Sequence, residues 1–171
     1  MKKNIIIFII LISIHGFAQK GVFDIARTGT LDELKELMKS NPNVINEADK
    51  NGFTPLILAC YRGNNPVAKF LVNNVKNIDE PCDMGTALMA CTVKGNVEIS
   101  KLLLEKGSNP NITDSNGTTS LMYAVQFKNL ELVKTLLQHK ADKTKMDNKG
   151  KTAFEYAVFS GNEEIINLIK N

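Results

Sequence analysis

"NGFTPLILACYRGN", residues 51–64, decides the reading of the chain. A turn closes at Gly52, an apolar run opens at Thr54-Pro55, and Gly63-Asn64 ends it. That order describes a turn, a helix of about two turns, and a stop. The Thr54 hydroxyl can accept from a first-turn N–H, and Pro55 takes the first helical position, where its missing N–H is harmless. Leu56 and Ala59 share one face at i, i+3. Gly63 suits the left-handed residue that ends such a helix, a conformation costing a residue with a side chain about 1 kcal/mol. Asn64 is then placed to cap a second helix.

The same grammar returns as "MGTALMACTVKGN" (84–96), "NGTTSLMYAVQFKN" (116–129) and "KGKTAFEYAVFSGN" (149–162). Thr54, Thr86, Thr119 and Thr152 stand 32, 33 and 33 residues apart. Five residues on come Ala59, Cys91, Ala124 and Ala157; nine on come Gly63, Gly95, Lys128 and Gly161, each followed by Asn. A second apolar set follows at helical spacing: Val97, Ile99, Leu102 and Leu103, then Leu130, Leu132, Val133, Leu136 and Leu137. An earlier unit, "VFDIARTGTLDELKELM" (22–38), puts Ile25 at the alanine position and Gly29 at the glycine position, without the Gly-x-Thr opening. Each unit reads as an antiparallel helix pair that cannot cover its own apolar face. Stacked, the units share one core.

The pattern Asp49-x-x-Gly52-x-Thr54-Pro55-Leu56-x-x-Ala59, with Gly63 and Leu71, resembles the ankyrin repeat. So does Asp114-x-x-Gly117-x-Thr119-x-Leu121-x-x-Ala124, and "LLLEKGSNPN" (102–111) resembles the family's second-helix ending. The resemblance covers residues 21–171. It implies an all-α solenoid of about five helix-turn-helix units with short hairpin-like turns, at about 21–48, 49–80, 81–113, 114–146 and 147–171. Four departures stand out. The family's histidine is replaced by Ile57, Met89, Met122 and Glu155, the third unit has a turn one residue short ("DMGT"), Lys128 occupies a glycine position, and Lys140-Ala141 replace a second glycine. A reshaped turn is predicted at Lys128. Glu163, Glu164, Asn167 and Lys170 suit a solvent-facing last unit.

Residues 1–18 read differently. Lys2 and Lys3, an apolar run from Ile5 to Ile14, and small residues at Gly16 and Ala18 have the layout of a secretory signal peptide, with cleavage predicted after Ala18. The run is short for about 30 Å of hydrocarbon; a retained N-terminal anchor is the alternative reading. Of 171 residues, removal of 18 leaves 153, a single domain (19–171) with 19 basic and 18 acidic side chains. A charge that near zero gives no field to hold nucleic acid or, once the leader is gone, an anionic membrane. The chain is expected in the periplasm or outside the cell, and its Asn, Lys and Ile usage looks bacterial.

No catalytic group, cofactor or metal site is predicted. The mature chain has one histidine, His139, placed to solvate or to cap a carbonyl at a helix end. Three cysteines cannot form a closed disulfide framework. Cys60 and Cys91 read as buried small groups, on helices about 10 Å apart and so beyond disulfide reach. Cys82, in the turn "DEPCDMG", is expected to be more exposed and is the one redox candidate.

The resemblance implies protein recognition on a concave face made of hairpin tips and first-helix ends. The predicted contact residues are Arg27, Phe53, Tyr61, Arg62, Met84, Val93, Lys94, Gln126, Phe127 and Phe159, with Asn51, Ser115, Asn116 and Lys151 among further tip residues. Phe53 could instead pack on its own hairpin, and Phe159 could cover the end of the stack. The cations suggest a protein partner with an acidic, partly apolar patch. Second-helix charges such as Lys35, Glu98, Lys101, Glu131 and Lys134 read as a solvated outer ridge. By resemblance to exported bacterial ankyrin proteins, the expected role is a binding scaffold that supports a periplasmic enzyme such as a catalase. The alternatives are an immunity protein that neutralises a toxin, or a redox-responsive protein using Cys82. An enzyme would need a cluster the sequence does not supply.

Overall fold

In the computed structural model, which describes residues 20–170, ten α-helices form five consecutive pairs. They are α1 (Val22–Thr28) with α2 (Leu31–Ser40), α3 (Pro55–Arg62) with α4 (Asn65–Val72), and α5 (Ala87–Val93) with α6 (Val97–Glu105). α7 (Ser120–Gln126) with α8 (Leu130–Gln138), and α9 (Ala153–Ser160) with α10 (Glu163–Lys170), complete the series. The leader read in residues 1–18 lies outside the described residues. First helices stack in the order α1, α3, α5, α7, α9, and second helices follow in the same order behind them.

The local chemistry is that of the repeat. Thr54, Thr86, Thr119 and Thr152 each accept from the N–H three residues on, and Pro55 opens α3. Ala59, Cys91, Ala124 and Ala157 form a column that is 0% exposed, and Leu56, Leu88 and Leu121 bury beside it. Three of the four turn asparagines cap their second helix: Asn96 accepts from Ile99, Asn129 from Leu132 and Asn162 from Ile165. Lys128 at φ 54° and Lys140 at φ 64° hold the left-handed conformation that glycine holds elsewhere. His139 places Nδ1 2.9 Å from the Thr135 carbonyl at the end of α8.

Unit one departs from its predicted form. Gly29 is extended at φ −86° rather than left-handed. A Cβ there would lie 2.6 Å from the Ile25 backbone, so close approach, not φ, requires the glycine. Thr30 opens α2 with a reciprocal capping box to Glu33, so the link is an extended Gly-Thr that leaves the Ala26 and Gly29 carbonyls open. Asn64 covers them. Its Nδ2 donates to Ile25, Ala26 and Gly29 carbonyls at 3.2, 3.3 and 2.9 Å, and it makes no cap on α4.

The outer ridge and the last unit are exposed as expected but carry further contacts and apolar surface. The outer ridge is not merely solvated: Lys69 pairs with Glu98 (2.5 Å), Lys101 with Glu131 (2.7 Å) and Lys134 with Glu164 (3.0 Å), each across a unit boundary. Lys35 instead lies over the Phe70 ring, 6.0 Å from its centroid; the glutamate position of unit two holds Pro66. The last unit is polar on α10 but apolar on α9. Phe154 (38% exposed) and Val158 (52%) stand where Leu121 and Val125 are buried one unit earlier.

The two left-handed lysines give a direct test of the turn chemistry. Lys128→Gly and Lys140→Gly should each raise stability in chemical denaturation by up to about 1 kcal/mol. No gain at either site would mean that the turns are not strained as their φ values indicate.

Candidate functional site: the concave groove

Hairpin tips and first-helix ends enclose a groove of about 540 Å³ running from Arg27 to Phe127. In units two, four and five the tip is built on an aspartate. Asp49, Asp114 and Asp147 each use Oδ1 to accept two backbone N–H groups of their own turn. The second carboxylate oxygen faces the helices. Asp114 Oδ2 accepts from the Tyr123 hydroxyl at 2.6 Å, and Asp147 Oδ2 accepts from Tyr156 at 2.5 Å. Burial and the Asp114 bond push Tyr123 up to about 12. The Asp147 bond, then burial, push Tyr156 up to about 12. In return, the Tyr156 hydroxyl and the backbone N–H groups of Lys151 and Lys149 hold the Asp147 carboxyl below its usual range. In unit two Leu58 replaces the tyrosine, and Arg27 reaches over from unit one to Asp49 Oδ2 at 3.5 Å.

Unit three has neither group. Cys82 closes a shorter hairpin with Gly85 through two backbone bonds of 3.0 and 2.8 Å. Cys82 is half-buried, more exposed than Cys60 and Cys91 as expected, and its thiol donates to the Gly85 carbonyl at 3.4 Å. Burial raises its pKa, which disfavours the thiolate. Cys60 and Cys91 are fully buried and free, as expected. The neighbouring Cys91 thiol and burial push Cys60 well above the ordinary thiol range.

Seven of the ten predicted contact residues line the groove: Arg27, Phe53, Tyr61, Arg62, Met84, Val93 and Phe127. Tyr61 is 39% exposed and Phe127 55%. The Phe127 ring lies nearly parallel to Tyr123, centroids 6.4 Å apart. Phe53 is half-buried, packing on the core while still lining the groove. Lys94 stands at the rim with Nζ 4.7 Å above the Tyr61 ring. Gln126 is exposed outside the groove, and Phe159, 88% exposed, projects from the last unit and covers nothing. Arg27 is not a free cation, since Asp24 and Asp49 both pair with it.

Sequence reasoning missed Asp49, Asp83, Asp114, Leu58, Ala90 and Tyr123, which also line the groove. The position four past each threonine would have found three of them: Leu58, Ala90 and Tyr123 vary there while their neighbours keep to the repeat. Among the described residues, no group of three His, Cys, Asp or Glu side chains could hold a metal ion. No helix there is long and apolar enough to cross a membrane.

Comparison with known proteins agrees with the geometry. The family model "Ankyrin repeats (3 copies)" matches residues 22–114 and again 106–171. The chain is 34% identical over 101 residues to mouse (Mus musculus) ankyrin repeat and SAM domain-containing protein 6, covering 58% of this chain and 11% of that protein. It is 39% identical over 70 residues to human (Homo sapiens) ankyrin repeat and KH domain-containing protein 1, covering 41% and 3%. An ankyrin repeat-containing protein of Treponema pallidum (strain Nichols) is 35% identical over 79 residues, covering 45% and 26%. The chain therefore spans a minor part of each of these relatives.

The tyrosine–aspartate bonds predict two limits on stability. A raised tyrosine pKa supplies stability that is complete below about pH 10 and is lost as pH rises toward about 12. A lowered Asp147 pKa supplies stability that is present above about pH 4 and is lost as pH falls through its folded value. Tyr156→Phe should cost about 1 kcal/mol at neutral pH and flatten both limbs of a denaturation-against-pH curve. Unchanged limbs would show that the bond contributes nothing.

Proposed function

The chain belongs to the ankyrin-repeat family, and on that premise we propose that it is a non-enzymatic scaffold holding one protein partner in the concave groove. The observation that carries this reading is that exposed Tyr61, Met84 and Phe127 line one water-facing groove. Aromatic side chains beside arginine are typical binding anchors, and grouped exposed apolar side chains on a folded protein call for a covering partner. The leader-like residues 1–18 support export, and so a partner in the periplasm or outside the cell. The role proposed is accessory: the scaffold stabilises an exported enzyme without touching its chemistry.

The test uses the mature chain, residues 19–171, immobilised and exposed to periplasmic extract, with retained proteins identified by mass spectrometry. One enzyme should be retained, and Tyr61→Ala with Phe127→Ala should release it while the circular dichroism spectrum is unchanged. Retention that survives both substitutions would exclude the concave face. Retention of a toxin would replace the accessory role with immunity. N-terminal sequencing of the exported protein should begin after Ala18; an intact Met1 would exclude the cleaved form.

A further inference from the structure

Unit three breaks the repeat at three positions, two of whose counterparts touch in unit four, where Tyr123 bonds Asp114. Cys82 stands where the other tips have aspartate, the tip is one residue short, and Ala90 stands where neighbouring units have Leu58 and Tyr123. These changes belong together. A tyrosine at position 90 would find no carboxylate to accept its hydroxyl, and the shorter hairpin covers less of the helix beneath it. Only a methyl group, that of Ala90, lines the groove at this position, with Tyr61 contributed by the unit before and Phe127 by the unit after. Stacked helices lie about 8–10 Å apart, so the two rings flank a gap one unit wide.

The charges around that gap are polarised. Arg27 is satisfied by Asp24 and Asp49, and Lys69, Lys101 and Lys134 by glutamates. Arg62 and Lys94 have no carboxylate within ion-pair distance among the described residues. Both stand by the Tyr61 ring, 6.0 and 4.7 Å from its centroid. The exposed Asp83 lies on the hairpin wall of the same groove. Negative charge is therefore favoured on the Tyr61 side and opposed on the hairpin side.

We propose that the groove at Ala90 is a socket for one bulky apolar side chain of the partner polypeptide, with a neighbouring carboxylate of that partner held by Arg62 and Lys94. This rests on the concave-face reading and adds to it the chemistry of the anchor. The groove is an open trough continuous across four units, which fits a chain segment laid along it. Asp83 sets the direction of that segment by excluding the carboxylate from the hairpin side.

The probe is a fluorescein-labelled Gly/Ser-rich peptide carrying one Phe followed by Asp-Glu, titrated with the mature chain and read by fluorescence anisotropy. Replacing its Phe by Ala should weaken binding about tenfold or more, and Lys-Lys in place of Asp-Glu should weaken it similarly. Ala90→Leu fills the socket with the residue that unit two already carries at this position. It should keep the wild-type melting temperature and lose about tenfold in affinity. Arg62→Glu with Lys94→Glu should reverse the preference toward the Lys-Lys peptide. Equal binding of the Phe and Ala peptides, full affinity in Ala90→Leu, or no binding of any peptide at millimolar concentration would each overturn the socket. If the peptides fail while Tyr61→Ala with Phe127→Ala still releases the retained enzyme, the socket falls and the concave face stands. If that release also fails, both fall.

Discussion

The structure depends on one steric constraint: the residue five past each threonine must be small enough for neighbouring first helices to touch. Ala59, Cys91, Ala124 and Ala157 meet it, and each is fully excluded from water. A unit of about 33 residues cannot enclose an apolar core by itself. Its leucines are buried only because the next unit lies against them, so stability is a sum of nearest-neighbour contacts. The end face shows the same rule from the other side. Phe154 and Val158 occupy stacking positions of α9 and remain partly in water, because no described unit follows them.

Polar contacts then fix the register of what the small column brings together. Asn64 ties unit two to the loose carbonyls of unit one. On the hairpin side, Ser115 donates to the Asp83 carbonyl at 3.1 Å and Asn148 to the Asn116 carbonyl at 2.9 Å, joining three tips through their backbones. The lysine–glutamate ladder on the outer ridge looks comparable, but its members are about half exposed. Exposed pairs of this kind contribute between nothing and about 1 kcal/mol. The backbone bonds between tips join groups already held by their own turns, and together with Asn64 they set the spacing of the units.

How far the sequence could be read follows from these two classes of contact. The helix pairs, their caps and the left-handed turns were legible because each depends on residues a few positions apart and recurs four times. Gly29 and Asn64 were not, because each is decided by a partner some 30 or more residues away or by close approach of backbone. At the groove, exposed positions seven and eight past the threonine were placed well for Tyr61, Arg62 and Phe127. The inward position four was overlooked, since a residue's facing into a groove depends on how neighbouring hairpins lean over it. Gln126 and Phe159 lie outside the groove for the same reason: position in the repeat gave exposure, and exposure is not membership of the groove.

A repeat protein supplies its own reference for such distinctions. Each unit solves the same packing problem, so a residue that departs from its counterparts either weakens the stack or serves something outside it. Lys128 and Lys140 depart at a conformational cost inside the turn. The changes in unit three are of another kind. Cys82 keeps its hairpin closed by backbone bonds, Met89 stays buried beneath, and the small column runs through Cys91 without a gap. The departures at Cys82, the shortened tip and Ala90 leave the stack intact and subtract material only from its water-facing wall. Three losses within one unit, between two exposed rings and beside two unpaired cations, make a shape that the fold does not need, and a shape the fold does not need is where an outside partner has room to act.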